Sequence, residues 1–456
     1  MISFADTGFL FRFLPVFMVV YFLVPARYKN HILTFGSLVF YALGEGVFVA
    51  LLAGLIGVNY VFESASFRVR THKGDEHIRK VRLFCMIAAV TVNLAVLLLF
   101  KGLAVFRDNT LLPLGLSFYI FKMVSFQVDV YRRKVPRSTS LSEAAAYFSL
   151  FPQISQGPIM RFEEGYFDEE HSFSWENLEE GLRYFIIGFA MKVALADRIG
   201  ILWNDIKMYG YESISTPLAW LGAFAYSFEL YFDFWGYSLM ASGIMVALGF
   251  DFIRNFDHPY ASGTVSEFYR RWHMTLGSFF RDYVYFPMGG SRCSKVRMCI
   301  NLMVVWILTG LWHGNGLNFL IWGGVLGIFI VLEKLLYGKK IEKIPVVRSI
   351  YLIFVIVLSW VIFAINDLKQ LAVFFGRLFP FFGKAGVVNR SDIFQYLADY
   401  WWMFVICVVL CVPKVAKTYE KHRKSPVVTA ALVILFWIGV YFSVSTKGNP
   451  FMYLHF

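Results

Sequence analysis

Apolar runs recur along almost the whole chain, at 9–24, 31–44, 47–64, 83–101, 112–130, 181–199, 217–250, 298–313, 316–336, 346–365, 399–413 and 427–444. A membrane strand needs about 10 residues and a membrane helix about 20, so runs of this length read as helices. The expected fold class is an all-α polytopic membrane protein with about 11–12 transmembrane helices, the run 217–250 being long enough for two. Composition points the same way. Hydrophobic residues make up 58% of the 456 and mean hydropathy is +0.58, whereas a soluble fold has to clothe its exterior in polar groups. Without a basic leader or a small-residue cleavage site, 9–24 is expected to be a retained first span. The whole of 1–456 is expected to form one integral membrane domain.

On a soluble chain a net charge of +12 would suggest a nucleic-acid partner. Here Lys and Arg gather in the short links between apolar runs, which favours anionic membrane lipids and no nucleic acid. The basic links are Arg27 to Lys29, Arg68 to Arg82, Arg132 to Lys134, Arg292 to Arg297, Lys339 to Lys343 and Lys414 to Lys424. The links around 102–111 and 200–216 carry less positive charge, so the basic set is expected on the cytoplasmic side and the amino terminus outside. The cysteines at 85, 293, 299, 407 and 411 form no CxxC pair, so neither a disulfide framework nor a metal site is expected.

Two stretches resist a simple spanning reading. Pro152, Gly157 and Pro158 would interrupt a membrane helix in 143–162, and such backbone needs protein or a wet cavity around it. The stretch 251–297 mixes Arg, His and Asp with Trp, Pro and Gly, and reads as re-entrant or interfacial helices. Segment 366–398 also reads as interfacial.

Ionisable groups inside apolar helices are costly, so they direct the search for chemistry. His313 lies in TGLWHGNGLN at 309–318, where Gly314 and Gly316 break two apolar runs. A neutral imidazole there can take a proton from a hydroxyl and return it to a leaving group, with Asn315 and Asn318 as donors to developing charge. A packing hydrogen bond or an ordinary turn is the bland alternative. In EFYRRWHMTLGSFFRD at 267–282, helical spacing sets Glu267 against Arg270 and Arg271 and places Arg270, His273 and Met274 on one strip. That stretch is either an entrance for an anionic donor or an amphipathic helix with snorkelling arginines. Glu229, Asp233 and His258 are candidates to pair with those arginines, or simply to cap helices. No GxSxG elbow, Walker loop or HExxH helix occurs.

These motifs, taken in order, resemble the membrane-bound O-acyltransferase (MBOAT) family and, within it, the bacterial alginate O-acetylase branch. The resemblance covers the chain from FLFRFLPVF near the start, through LPLGLSFYIF at 112–121, FPQISQGPIMRF at 151–162, NFDHPY at 255–260, the RRWH segment and GLWHGNGLNF at 310–319, to GNPFMYLHF at 448–456. It implies the many-helix MBOAT fold and makes His313 the catalytic residue, with His273 a second polar group on the reaction path. Some positions depart from the family pattern: Tyr269 stands where Trp is usual, and Trp235 and Leu239 replace a Ser and an Asp, which is expected to reshape the acceptor or partner surface.

The reaction implied is O-acyl transfer from acetyl-CoA, used as a donor substrate with no bound cofactor, toward a secreted or cell-wall polysaccharide. Arg270, Arg271 and Arg281 would attract its phosphates. The resemblance also implies a bacterial cytoplasmic membrane location and an extracytoplasmic polysaccharide acetyltransferase or acyl-relay partner. D-alanyl transfer to teichoic acid from a carrier protein is a related alternative. A transporter or a noncatalytic scaffold are alternatives of another class.

Overall fold

A computed structural model describes residues 3–68, 75–107, 111–165, 167, 173–341, 343–381 and 391–445. The terminal motif at 448–456, part of the basic link at 68–82 and part of 366–398 lie outside the described residues. Every apolar run is helical, and no strand occurs among the described residues, as expected of an all-α membrane protein. Among the described residues seven helices are long and apolar enough to cross a membrane: Phe48–Arg68, Glu76–Phe106, Lys295–His313, Leu317–Tyr337, Pro345–Ala364, Asp392–Leu410 and Pro426–Ser445. Phe9–Leu23 is a shorter apolar helix.

The chain forms two compact units. The first draws on residues up to Ile187 and on Tyr237–Arg254. Its helices are α1 (Leu14–Leu23), α2 (Lys29–Glu45), α3 (Phe48–Arg68), α4 (Asp75–Phe106), α5 (Leu116–Tyr131), α6 (Leu141–Ser149), α7 (Phe151–Ile154) and most of α8 (Trp175–Ala190). The run 112–130 yields α5, whose residues are almost all buried, Lys122, Gln127 and Asp129 among them. Lys122 donates to the Tyr147 carbonyl and to Gln153 Oε1 (3.2 Å), so its amine is satisfied by protein oxygens. Asn59 and Asn93 exchange amide hydrogen bonds between α3 and α4 (3.1 and 2.9 Å), satisfying polar groups that lipid could not.

The stretch 143–162 is broken as its prolines and glycines require. α6 ends at Ser149, α7 is one short turn, and Gln156 to Met160 run on in buried non-helical backbone. Gly157 is needed for room, since a Cβ there would meet the Pro152 carbonyl oxygen at 2.4 Å. Irregular backbone is therefore enclosed by protein rather than exposed.

The second unit comprises Gly188–Gly236 and the chain from Asn255. It contains α9 (Asp197–Tyr209), part of α10 (Thr216–Ala247), α11 (Val265–Arg271), α12 (Met274–Phe280), α13 (Lys295–His313), α14 (Leu317–Leu332), α15 (Gly338–Ile341), α16 (Pro345–Ala364), α17 (Leu368–Leu378), α18 (Asp392–Leu410), α19 (Pro413–His422) and α20 (Pro426–Ser445). The run 217–250, long enough for two spans, is the single 32-residue α10, about 48 Å at 1.5 Å per residue. The helix α17, with Leu371, Phe374 and Leu378 buried along one side, accounts for the described start of 366–398. α13 and α14 form a close hairpin. A Cβ on Gly310 would meet the Phe319 carbonyl oxygen at 2.4 Å, and small residues let these helices approach.

Candidate active site

His313 is the last residue of α13, and it stays inside the protein because the chain turns at once into α14. Gly314 makes that turn possible by its size: a Cβ there would strike the Phe319 ring at 2.2 Å. The imidazole is 5% exposed and packed edge-to-face against Trp322 (centroids 5.0 Å) and Phe363 (5.2 Å). Asn318 holds the other side of the turn, donating to the carbonyls of Ile362 (3.2 Å) and Phe363 (3.0 Å). It thereby ties α14 to α16, and its amide is engaged in packing.

His273 sits between α11 and α12 and breaks what the sequence presents as one helix. Its backbone is left-handed (φ 45°), a conformation costing an L-residue roughly 1–2 kcal/mol, so surrounding contacts have to hold it. Two backbone hydrogen bonds do so, from Met274 N to the Asn255 carbonyl and from Asp257 N to the Arg271 carbonyl, both 2.9 Å. The ring is 3% exposed and meets Phe234 edge-to-face at 4.6 Å. Burial drives its pKa down to about 3, so the imidazole is neutral at physiological pH.

A cavity of about 620 Å³ brings the two histidines together. Arg270, His273 and Met274, the strip expected from spacing, all line it, as do Arg281, His313, Tyr269, Trp306 and Trp322. Arg270 and Arg281 are exposed and both imidazoles are buried, so the cavity wall grades from charged to aromatic. Arg281 also bonds Asp282 (2.8 Å). Lys334, which the sequence reading did not single out, lines the same cavity and donates to Ser291 Oγ at 2.9 Å. Beside it Glu333 is buried and accepts from Val265 N (2.6 Å), Ser266 N (2.8 Å) and the Tyr351 hydroxyl (3.0 Å). That carboxylate fixes the first turn of α11, and with it the arginine-bearing wall.

The remaining candidates fall elsewhere. Arg271 does not line the cavity and pairs with Glu267 at 2.6 Å, while Asn315 is exposed in the turn after His313. Glu229 and Asp233 were expected to pair with the arginines of 267–282; instead they belong to a buried cluster around Lys192. Lys192 Nζ lies 2.6 Å from Asp233 and 2.7 Å from Asp197. The reason is one of register: Lys192 lies within the helical stretch Met191–Ala196 and Asp197 directly follows it, beside the middle of α10. His258 likewise faces its own neighbour Asp257 (3.4 Å) rather than an arginine.

A helical membrane protein that gathers two buried imidazoles and exposed cations around one aromatic-walled cavity has the parts for acid–base chemistry. Its class is that of a membrane-embedded transferase. The profile of the membrane-bound O-acyltransferase family matches residues 90–375, and the chain belongs to that family. It is an O-acyltransferase and a multi-pass protein of the bacterial cytoplasmic membrane. It is 31% identical over 497 residues to the probable alginate O-acetylase AlgI of Pseudomonas putida, covering 99% of this chain and 100% of the relative. It is 28% identical over 520 residues to the peptidoglycan O-acetyltransferase of Helicobacter pylori (98% and 96%). Over 253 residues it is 28% identical to the teichoic acid D-alanyltransferase of Bacillus subtilis, there covering 52% of this chain and 63% of the relative.

Proposed function

We propose that this enzyme moves an acetyl group from cytoplasmic acetyl-CoA toward hydroxyls of a secreted or cell-wall polysaccharide, working with an extracytoplasmic acetyltransferase or acyl-relay partner. The observation that carries the reading is the cavity lined by His273, His313, Arg270 and Arg281 together. Exposed cations suit the phosphates of coenzyme A, and a buried aromatic wall suits a short thioester while excluding water. The long coverage of the alginate and peptidoglycan relatives supports a polysaccharide acceptor.

His313 is the base in this reading. The acceptor hydroxyl has a pKa far above 7 and attacks only as its proton passes to the imidazole. Its oxygen bonds to the thioester carbonyl carbon, negative charge builds on the carbonyl oxygen, and the carbon–sulfur bond then breaks. The leaving thiolate takes up the proton that His313 received. His273 is a second neutral imidazole on the same cavity, available to hydrogen-bond the reacting groups. A domain of 1–456 acting as one unit belongs to the same proposal.

The experiment follows labelled acetyl from acetyl-CoA in membranes containing the chain and its matched partner, comparing wild type with His313→Ala at equal folded abundance. Loss of transfer of about 100-fold or more is expected, the usual scale of a lost general base. Equal transfer in the variant would remove His313 from the reaction. A D-alanyl-loaded carrier protein serves as the competing donor, and its preferred use would favour teichoic acid modification.

A further inference from the structure

The segment NFDHPY at 255–260 takes no part in the function just described, yet its first residue touches His273 through both backbone and side chain. The Asn255 carbonyl accepts from Met274 N. Its side-chain oxygen Oδ1 lies 3.1 Å from His273 Nδ1, 2.9 Å from Thr275 Oγ1 and 3.3 Å from Thr275 N.

A backbone N–H can only donate. The amide atom facing Thr275 N therefore has to be the oxygen, because a flipped amide would set N–H against N–H. The same oxygen faces His273 Nδ1. A bare Nδ1 there would oppose two lone pairs at 3.1 Å, whereas Nδ1–H donates a hydrogen bond. In the neutral ring only one nitrogen is protonated, so the lone pair resides on Nε2.

We propose that Asn255 is a positioning residue that fixes the tautomer of His273, with Nδ1 protonated and Nε2 carrying the lone pair presented to the acyl-transfer reaction. Thr275 takes part by holding the amide in the required orientation. The role in catalysis rests on the function proposed above; the tautomer does not. Second-sphere partners that set a histidine's tautomer commonly change activity by about 10- to 100-fold when removed.

Two measurements on the full-length chain in liposomes test this. The first is solid-state nitrogen NMR of histidine-labelled protein at neutral pH, with the His273 signals identified by their loss in His273→Gln. A non-protonated Nε2 in wild type and in Asn255→Asp, and a mixed or reversed pattern in Asn255→Leu, is expected. A non-protonated Nδ1 in wild type, or an unchanged spectrum in Asn255→Leu, would overturn the assignment.

The second is acetyl transfer from acetyl-CoA. In Asn255→Leu kcat should fall about 10- to 100-fold with KM for acetyl-CoA little changed, and Asn255→Asp should recover most of the loss. Leu at this position keeps the backbone bond to Met274 but leaves the Thr275 donors without their acceptor, so a lower melting temperature is expected alongside and kcat is compared at equal folded abundance. Unchanged kcat, or equal loss in the Asp and Leu variants, would reduce Asn255 to packing. A wild type inactive with acetyl-CoA would instead count against the donor proposed above, and the spectrum would still decide the tautomer.

Discussion

The second unit holds charge in two different ways. Around Lys192, Asp197 and Asp233 the groups are buried and bonded to one another at 2.6–2.7 Å, so the cluster is closed on itself. Around the cavity, Arg270, Arg281 and Lys334 are exposed, and among the described residues no carboxylate pairs with Arg270. Both arrangements place ionisable groups in an apolar chain, but only the second leaves positive charge where a ligand can meet it. An intramembrane charge is thus not a functional residue by its rarity alone; what decides is whether its partner comes from the protein.

The largest test of this contrast strikes the closed cluster. Removing one member of a buried ion pair leaves the other uncompensated, at about 3–5 kcal/mol. Asp233→Ala should therefore lower the thermal stability of purified protein sharply, and replacing all three members together, Lys192→Met with Asp197→Leu and Asp233→Leu, should recover much of the loss. Full stability in Asp233→Ala would mean that the cluster contributes little to the fold.

Arg270→Ala tests the open arrangement. A charge-assisted contact with phosphate contributes about 1.5–3 kcal/mol, so KM for acetyl-CoA should rise about 10- to 100-fold while the melting temperature barely moves. Unaltered KM would place the donor's phosphates elsewhere. A smaller effect is expected at Asn318, whose amide joins α14 to α16. Asn318→Leu leaves two buried carbonyls without this donor, a loss of about 1–3 kcal/mol read as a lower melting temperature.

Arg271→Ala should do least. Its partial exposure and i,i+4 pairing with Glu267 put the effect within about 0.5 kcal/mol of stability, with KM unchanged. A marked KM change here, and none at Arg270, would reverse the assignment of the two neighbours.

Much of this architecture was legible in the sequence because a lipid-facing helix has to be apolar over its length, so runs such as 346–365 and 427–444 announce themselves. The break at Gly314 could be read from local spacing, whereas Arg270, His273 and Met274 share the cavity although the chain leaves the helix at Trp272 and His273. Helices buried in protein were harder to delimit. α5 carries Lys122 and Asp129 because neighbouring protein satisfies them, and α10 continues unbroken where length alone allowed two spans.

Long-range partners were not legible at all. Lys192 meets Asp233, Glu333 caps α11 from the end of α14, and Asn255 reaches His273 across 18 residues. The signals available were an isolated lysine in an apolar run and an isolated glutamate at a helix end. Neither names its partner, because register between helices is set by packing rather than by local pattern.

The central claim is that the cavity shared by His273 and His313 is where the acyl donor reacts. It is tested most directly by irradiating membranes with a photoreactive acetyl-CoA analogue and locating the attached label by mass spectrometry. The account predicts label on the peptides covering 264–285 and 302–338, removed by excess acetyl-CoA. Label that acetyl-CoA displaces from other segments, with none on these two, would contradict it.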